Sequence, residues 1–220
     1  MGRGKLLHSH SKHSDGGGTI NYPRGYEVLA ELGFAGRRRS VFTRLAALSG
    51  AGPSHRILDV GCGTGYLTRM LAPLVGPEGR VTGVDPSLPM IEHARRRSPD
   101  NCSYQVGEGQ ALPFPDASFD IVVSSFAVHH MPVSARGTAM REIFRVLQPG
   151  GRLLIAEFRP PVNPLAARLV GILAGPAMRP TMPELLADLV PGAGLRIEST
   201  GTVGPVLYYV NAVRPLETRS

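Results

Sequence analysis

Two aspartates bracket a run of glycines in a pattern suited to a nucleotide-like ligand. Asp59 lies within Ile57-Leu-Asp-Val-Gly-Cys-Gly-Thr-Gly65, where an apolar strand signal runs into a turn built on Gly61, Gly63 and Gly65. Asp85 ends a second strand signal, Arg80 to Val84, twenty residues beyond that turn. Glycines let a backbone turn tightly and approach a ligand where a Cβ would collide, and a carboxylate at the second strand end can accept from both hydroxyls of a ribose. Glycines also close ordinary tight turns, so the turn alone decides nothing. Its spacing is more informative. A dinucleotide fingerprint reads G-x-G-x-x-G, whereas here the third glycine comes one residue early and Tyr66 fills the place left open there. Asp59 in front of the turn argues against an anionic pyrophosphate and suits a ligand with a positive end, such as an ammonium or a sulfonium.

Further chemistry-bearing residues follow in order. Gly107-Glu-Gly-Gln-Ala-Leu-Pro-Phe-Pro-Asp-Ala-Ser-Phe-Asp120 places Glu108 after a third strand signal and leads into the apolar run Ile121 to Ser125. His129 and His130 come just beyond it in Ser124-Ser-Phe-Ala-Val-His-His-Met131, and Arg141-Glu-Ile-Phe-Arg-Val-Leu-Gln-Pro-Gly-Gly-Arg-Leu-Leu-Ile155 reads as helix, corner and strand. These segments, with the glycine turn, resemble the class I S-adenosylmethionine-dependent methyltransferases over Arg56 to Glu157. Within that family the chain is most similar to the small-molecule branch that includes the ubiquinone and menaquinone methyltransferases.

The resemblance implies S-adenosylmethionine as cofactor, S-adenosylhomocysteine as product and no metal. It assigns Asp59, Gly61, Cys62, Gly63 and Gly65 to the amino acid part of the cofactor and Asp85 to its ribose. Pro86 and Met90 would pack on ribose and adenine, and Glu108, with Gly109, Gln110 and Ala111, would stand beside the adenine amino group. Ser125, at the end of the fourth strand, would also contact the cofactor, and Tyr22 would fold over it. For the acceptor the candidates are Tyr26, Phe126, His129, Arg159, Leu169 and Tyr208, with Glu157 also at the cleft. Tyr208 and Tyr209 alternate on one strand, so only one of them can face it. Each residue has a plainer reading: an aspartate can simply sit solvated in a turn, Met90 can be core, and the tyrosines can be ordinary packing.

Methyl transfer asks mainly for alignment, because a sulfonium already activates its methyl group. A base is needed only where the acceptor arrives protonated, and either His129 or His130 could act as that base or form the cleft wall. The expected function is methyl transfer to a small, largely apolar or aromatic acceptor at oxygen, carbon or nitrogen. The rival is a cyclase-type biosynthetic enzyme or a binding protein on the same scaffold. Nucleic acid methylation is disfavoured, since Ser-Ser-Phe-Ala stands where an Asn- or Asp-Pro-Pro-aromatic motif would follow the fourth strand.

The elements that must position these residues are legible from composition and periodicity. At 220 residues the chain is one α/β domain in size. Its 24 Lys and Arg exceed 17 Asp and Glu, giving +7. The clusters Arg37 to Arg39 and Arg95 to Arg97 lack the aromatics or recognition module of a nucleic-acid reader, so a solvated basic exterior is the expectation. Cys62 and Cys102, forty positions apart, indicate neither disulfide nor zinc site, and no apolar run has the length of a membrane span, so a cytoplasmic protein is expected. Nothing in the sequence points to an oligomeric state.

Residues 1–19 read as a flexible polar tail whose His8, His10 and His13 have no fold to hold a metal. One domain, 20–220, follows. Helical spacing at Tyr26 to Leu32 and Arg38 to Leu48 makes 20–50 a helical cap. Strands at Arg56 to Val60, Val81 to Val84, Ser103 to Val106, Ile121 to Ser125 and Arg152 to Glu157 alternate with helices at Tyr66 to Leu74, Leu88 to Arg97 and Ser134 to Leu147. The proline-bracketed apolar stretch in 159–180, Leu165 to Met178, reads as a lid insertion. Thr181 then caps a helix over Pro183 to Leu189, and strands Leu195 to Thr200 and Val206 to Val213 end the chain. The alternation predicts a Rossmann-like sheet with helices on both faces, and the resemblance gives seven strands in the order 3-2-1-4-5-7-6.

Overall fold

The computed structural model describes residues 22–159, 182–204 and 207–216. The expected tail, the stretch 160–181 with Leu169, the body of the lid and the Thr181 cap lie outside the described residues. Within them, strands β1 (Arg56–Val60), β2 (Arg80–Asp85), β3 (Cys102–Val106), β4 (Phe119–Ser125), β5 (Leu147–Phe158), β6 (Arg196–Val203) and β7 (Leu207–Val213) form one sheet in the order 3-2-1-4-5-7-6. The first five are parallel, and β7 enters antiparallel between β5 and β6. The expected topology is the observed one.

Among the described residues six α-helices accompany the sheet: α1 (Pro23–Gly33), α2 (Arg38–Leu48), α3 (Tyr66–Val75), α4 (Leu88–Arg95), α5 (Val133–Val146) and α6 (Met182–Gly192). The alternation of side chains along the strands divides the core into two layers. On one face Leu58, Val60, Val122, Leu153 and Ile155 pack against Met140 and Ile143 of α5 and Leu186 and Val190 of α6. On the other, Ile57, Val81, Ile121, Val123 and Leu154 pack against Phe42 and Leu45 of α2 and Leu67 and Leu71 of α3. Both faces being covered explains why the central strands read as continuous apolar runs.

Local chemistry sets the boundaries. Gly65, at φ 72°, launches α3, and the Ser87 hydroxyl accepts from the Met90 N–H at 3.5 Å to start α4. α4 ends at Arg95, short of the expected Arg97, because Ser98 and Arg97 both take the Ala94 carbonyl and close a turn. β5 starts at Leu147, five residues before the expected Arg152. Phe119 still pairs with Leu147, and the Pro149-Gly150-Gly151 corner is absorbed opposite a register shift between Phe119 and Ile121. α1 buries none of its residues fully. It is tied down by Glu27, whose carboxylate stands 3.1 Å from Arg97, 3.4 Å from His93 and 3.9 Å from Arg69. Among the described residues no helix is long and apolar enough to cross a membrane.

Candidate functional site

The sheet order reverses between β1 and β4, and the carboxyl ends of the strands open there into a cleft of about 250 Å³. The glycine turn forms its floor. Gly61 sits at φ 75°, where an added Cβ would run into the Ala127 side chain, so both its conformation and its contact require glycine. Gly65 does not reach the cleft. A Cβ there would stand 2.6 Å from the Tyr104 hydroxyl and 2.9 Å from Ala94, so this glycine serves the packing of α3 against α4 and β3.

Asp85 faces the cleft and already accepts two backbone hydrogen bonds, Gly63 N–H on Oδ2 and Ser87 N–H on Oδ1, each at 2.9 Å. It therefore ties the glycine turn to the end of β2, and each oxygen retains a second lone pair for a ligand. Burial raises its pKa above the ordinary carboxylate value, with the two N–H donors opposing the shift. Pro86 and Met90 line the same side, Met90 almost fully buried. Glu108, Gly109 and Gln110 supply the next wall, and the Gln110 amide donates to the Glu108 carboxylate at 2.6 Å. Ala111 is outside the lining.

Asp59 is placed differently from the direct contact expected. It is 0% exposed, behind the glycine turn, and its Oδ2 accepts from the Thr68 hydroxyl at 2.6 Å. Its Oδ1 is buried without a hydrogen-bond partner among the described residues. Burial, opposed by the Thr68 hydrogen bond and reinforced by the charge of Asp85, pushes its pKa up to about 7. A buried acceptor left without a donor costs free energy, and a cation or donor at the glycine turn would relieve it. Cys62 lines the cleft too, with burial driving its thiol well above the ordinary range, so it presents a neutral wall rather than a nucleophile.

The β4 side of the cleft, beside the glycine turn, is aromatic and carries His130. Phe126, at the end of β4 beside Ser125, takes φ 56°, a strained conformation for a side chain of its size, and donates its N–H to the Ala156 carbonyl at 2.8 Å. Its ring stands 5.8 Å from Phe34 and 6.3 Å from Phe42, and Phe42 meets Tyr66 at 5.0 Å. Tyr26 reaches this region from α1. His129 and His130 share a single turn of 3-10 helix, Val128–His130, with ring centroids 4.0 Å apart. That tight turn separates their roles. His130 lines the cleft, and burial together with the neighbouring His129 lowers its pKa to about 4. His129 turns toward Glu157 instead, its Nδ1 at 2.7 Å from Oε2, while Oε1 accepts from the Val128 N–H at 2.7 Å. Glu157 is 0% exposed, so it acts as the buried anchor of the histidine turn rather than as a group open to the cleft.

Several expected contacts are absent from the lining. Tyr22 is 81% exposed, since α1 begins just after it and carries it away from the sheet. Arg159 follows β5 outside the lining. Tyr208 pairs with Glu157 across the sheet but packs into the core layer of α5 and α6, whereas Tyr209, by alternation, shares the layer of Phe42 and Phe126. Phe42, Leu67, Ala127, Met131 and Pro132 line the cleft without having been singled out. Ala127, beside Phe126, and Met131 and Pro132, directly after the histidines, stand where sequence position points to them; Phe42 and Leu67 do not.

The residues present fit S-adenosylmethionine. A glycine-floored turn, a doubly anchored aspartate at the β2 end and an acid beyond β3 meet in one cleft, and behind the turn lies a buried carboxylate oxygen lacking a donor among the described residues. Comparison with known proteins agrees. The family described as "Methyltransferase domain" matches residues 57–151. The ubiquinone/menaquinone biosynthesis C-methyltransferase UbiE of Ectopseudomonas mendocina is 38% identical over 149 residues, covering 66% of this chain and 57% of that protein. The enzyme of the same description from Hahella chejuensis is 38% identical over 168 residues, covering 74% of this chain and 66% of its own length. The chain thus spans between about half and two thirds of these relatives. Among solved structures, an S-adenosylmethionine-dependent methyltransferase from Aquifex aeolicus superposes with a TM-score of 0.71 at 20% identity, over 89% of this chain and all of that one, a likeness of fold. On sequence, topology and cleft together, the chain belongs to the class I S-adenosylmethionine-dependent methyltransferases.

Proposed function

We propose that the protein transfers a methyl group from S-adenosylmethionine to a small, largely apolar or aromatic acceptor. The observation that carries this reading is the polarity of the cleft. Carboxylates and the glycine backbone gather at the β1, β2 and β3 ends, and an aromatic wall with His130 stands at the β4 end. Asp85 would take the ribose hydroxyls on its two remaining lone pairs, Glu108 the adenine amino group, and the glycine turn backed by Asp59 the cationic amino acid end. Pro86 and Met90 supply the apolar surface between them. When bound, the cofactor supplies a methyl group already activated by a positive sulfur, so the chain's task is to hold an acceptor in line with it. Phe126, Phe42, Met131 and Tyr26 offer that acceptor an apolar bed.

His130 suits the acceptor side as a neutral wall and hydrogen-bond acceptor. With its pKa lowered to about 4 it is unprotonated at neutral pH, and a proton placed on it would not stay. A rise in rate through an ordinary imidazole pKa, which the sequence alone would suggest, is therefore not expected from His130. That relatives are described as C-methyltransferases supports a carbon of an aromatic or enolic ring as the methylated atom, and offers nothing for the cyclase-type alternative. Isothermal titration in excess chelator tests the cofactor assignment. S-adenosylmethionine and S-adenosylhomocysteine should both bind, without metal. Absence of binding by either, or preference for a nicotinamide dinucleotide, would overturn it.

A further inference from the structure

Arg38 is the feature of the cleft's surroundings that the functions assigned so far leave unexplained. It opens α2 and is 4% exposed, yet its side chain makes no hydrogen bond to any described residue, and its Nε is a buried donor without a partner among them. What holds it is aromatic. The guanidinium lies 3.9 Å over the Tyr66 ring and 5.8 Å from the ring of Phe42, which lines the cleft. Tyr26, also in the lining, is near enough for the Arg38 charge to act on its hydroxyl, together with the charges of Asp85 and Glu157. A buried guanidinium without a carboxylate is costly and is retained where something repays it.

The start of α2 points the same way. Its first turn follows Arg37 with Arg38 and Arg39, contains no acidic residue and has no side-chain cap, so positive charge stands at the positive end of the helix dipole. Arg37 and Arg39 are exposed and solvated, whereas Arg38 is enclosed. The rest of the chain offers it little. Residues 160–181 contain no Asp or Glu, and outside the described residues the acidic side chains are Asp15 and Glu217 alone.

Resting on the reading that the cleft binds S-adenosylmethionine, the unmet charges can be matched. Asp59, Asp85 and Glu108 answer the ligand's ammonium, ribose hydroxyls and adenine amino group, which are its donors. Its one anionic group, the amino acid carboxylate, finds no cation among the residues lining the cleft, where the charged side chains are Asp85 and Glu108. We propose that Arg38 is the carboxylate-binding residue of the cofactor site, its guanidinium stacked on Tyr66 and presented beside Phe42 to the amino acid end of the ligand. Arginine suits the task because its planar fork matches a carboxylate with two hydrogen bonds and tolerates burial against aromatic faces. The pairing would also satisfy the orphaned donor. Tyr66, which fills the place a dinucleotide fingerprint leaves open, then acquires a role as the platform for that guanidinium.

The test compares two ligands that differ in the amino acid part. S-adenosylhomocysteine carries the carboxylate, and 5′-methylthioadenosine keeps adenine, ribose and thioether but lacks it. Titration of both into the wild-type protein, Arg38→Met and Arg38→Lys should show S-adenosylhomocysteine binding weakened about tenfold to hundredfold in Arg38→Met and less in Arg38→Lys. Methylthioadenosine affinity should stay within about twofold in all three. An unchanged ratio of the two affinities in Arg38→Met would overturn the proposal, as would equal losses for both ligands, which would mark Arg38 as a structural support of α2. Retained S-adenosylhomocysteine binding with selective loss of binding by 2-naphthoate would assign the guanidinium to an acidic acceptor instead and equally overturn it. Failure of the wild type to bind either nucleoside would refute the cofactor reading itself, a result distinct from all of these.

Discussion

Lowering the pH from about 7.5 to about 5.5 should weaken the binding of S-adenosylhomocysteine about 25-fold, because the ligand's ammonium selects the ionised form of Asp59. In the free protein burial holds Asp59 at a pKa of about 7 against an ordinary value of 3.8. With a cation beside its orphaned Oδ1 the carboxylate should stay charged to well below pH 5.5, so binding must drive off whatever proton it carries. The ionised fraction is about three quarters at pH 7.5 and about one in thirty at pH 5.5, and their ratio corresponds to about 1.9 kcal/mol. Titration calorimetry in two buffers of different ionisation enthalpy should register release of nearly one proton per ligand at pH 6. Asp59→Asn keeps the acceptor for the Thr68 hydroxyl but cannot ionise, so it should bind more weakly at pH 7.5 and lose the pH dependence. An affinity flat with pH in the wild type, or a dependence that survives in Asp59→Asn, would refute the reasoning. The same shift bears on the ligand-free fold with opposite sign: a raised pKa means that this group's contribution to stability is full below pH 3.8 and is lost as pH rises through about 7.

Other outcomes follow from single contacts. Asp85→Ala should weaken S-adenosylhomocysteine binding at least about tenfold in a titration, and should loosen the glycine turn as well, since the Gly63 N–H loses its acceptor. Gly61→Ala, forced into a left-handed conformation against Ala127, should cost about 2 to 3 kcal/mol in urea unfolding and abolish detectable cofactor binding. His129→Ala leaves the fully buried Glu157 carboxylate without its ring partner and should destabilise the fold by about 3 kcal/mol, more than His130→Gln does. His130→Gln should keep turnover within about tenfold of wild type; a loss of about a hundredfold, with a wild-type rate rising near pH 6 to 7, would reinstate it as a general base. The depressed pKa of His130 disfavours its charged form in the fold, so stability should fall as pH drops from 6.5 toward about 4. Discounted for partial exposure, the wild type should lose about 1 to 2 kcal/mol relative to His130→Gln over that range.

How far the site could be read from sequence follows from what each residue's placement depends on. The glycine turn and Asp85 were legible because their geometry is local: a strand, a tight turn and a helix start fix them within a few residues, and the register of β1 with β2 brings the two ends together. The sheet order came with the family resemblance that four ordered segments carry, since the strand alternation by itself gives only a parallel sheet covered on both faces. Phe42 and Leu67 were illegible, since they reach the cleft through packing of α2 and α3 on the sheet, and on a helix such residues read simply as core. The choice between His129 and His130 depended on a 3-10 turn and on a carboxylate 28 positions downstream, which no local pattern encodes. Tyr208 and Tyr209 were recognised as alternating, but which of them shares the layer of Phe42 depended on how β7 pairs with β5. In the sequence Arg38 reads as one of a basic cluster at a helix start; its burial, which separates it from Arg37 and Arg39, is a tertiary fact.

The most direct test of the central claim follows methyl-labelled S-adenosylmethionine in reactions of the purified protein with a panel of phenolic, enolic and quinol acceptors. Methyl transfer predicts that, with a true acceptor, each S-adenosylhomocysteine formed is matched by one labelled methyl group on the acceptor, and that Asp85→Ala reduces both together. Acceptor turnover with the label still on intact S-adenosylmethionine would contradict methyl transfer and leave the cleft a cofactor-binding scaffold for other chemistry.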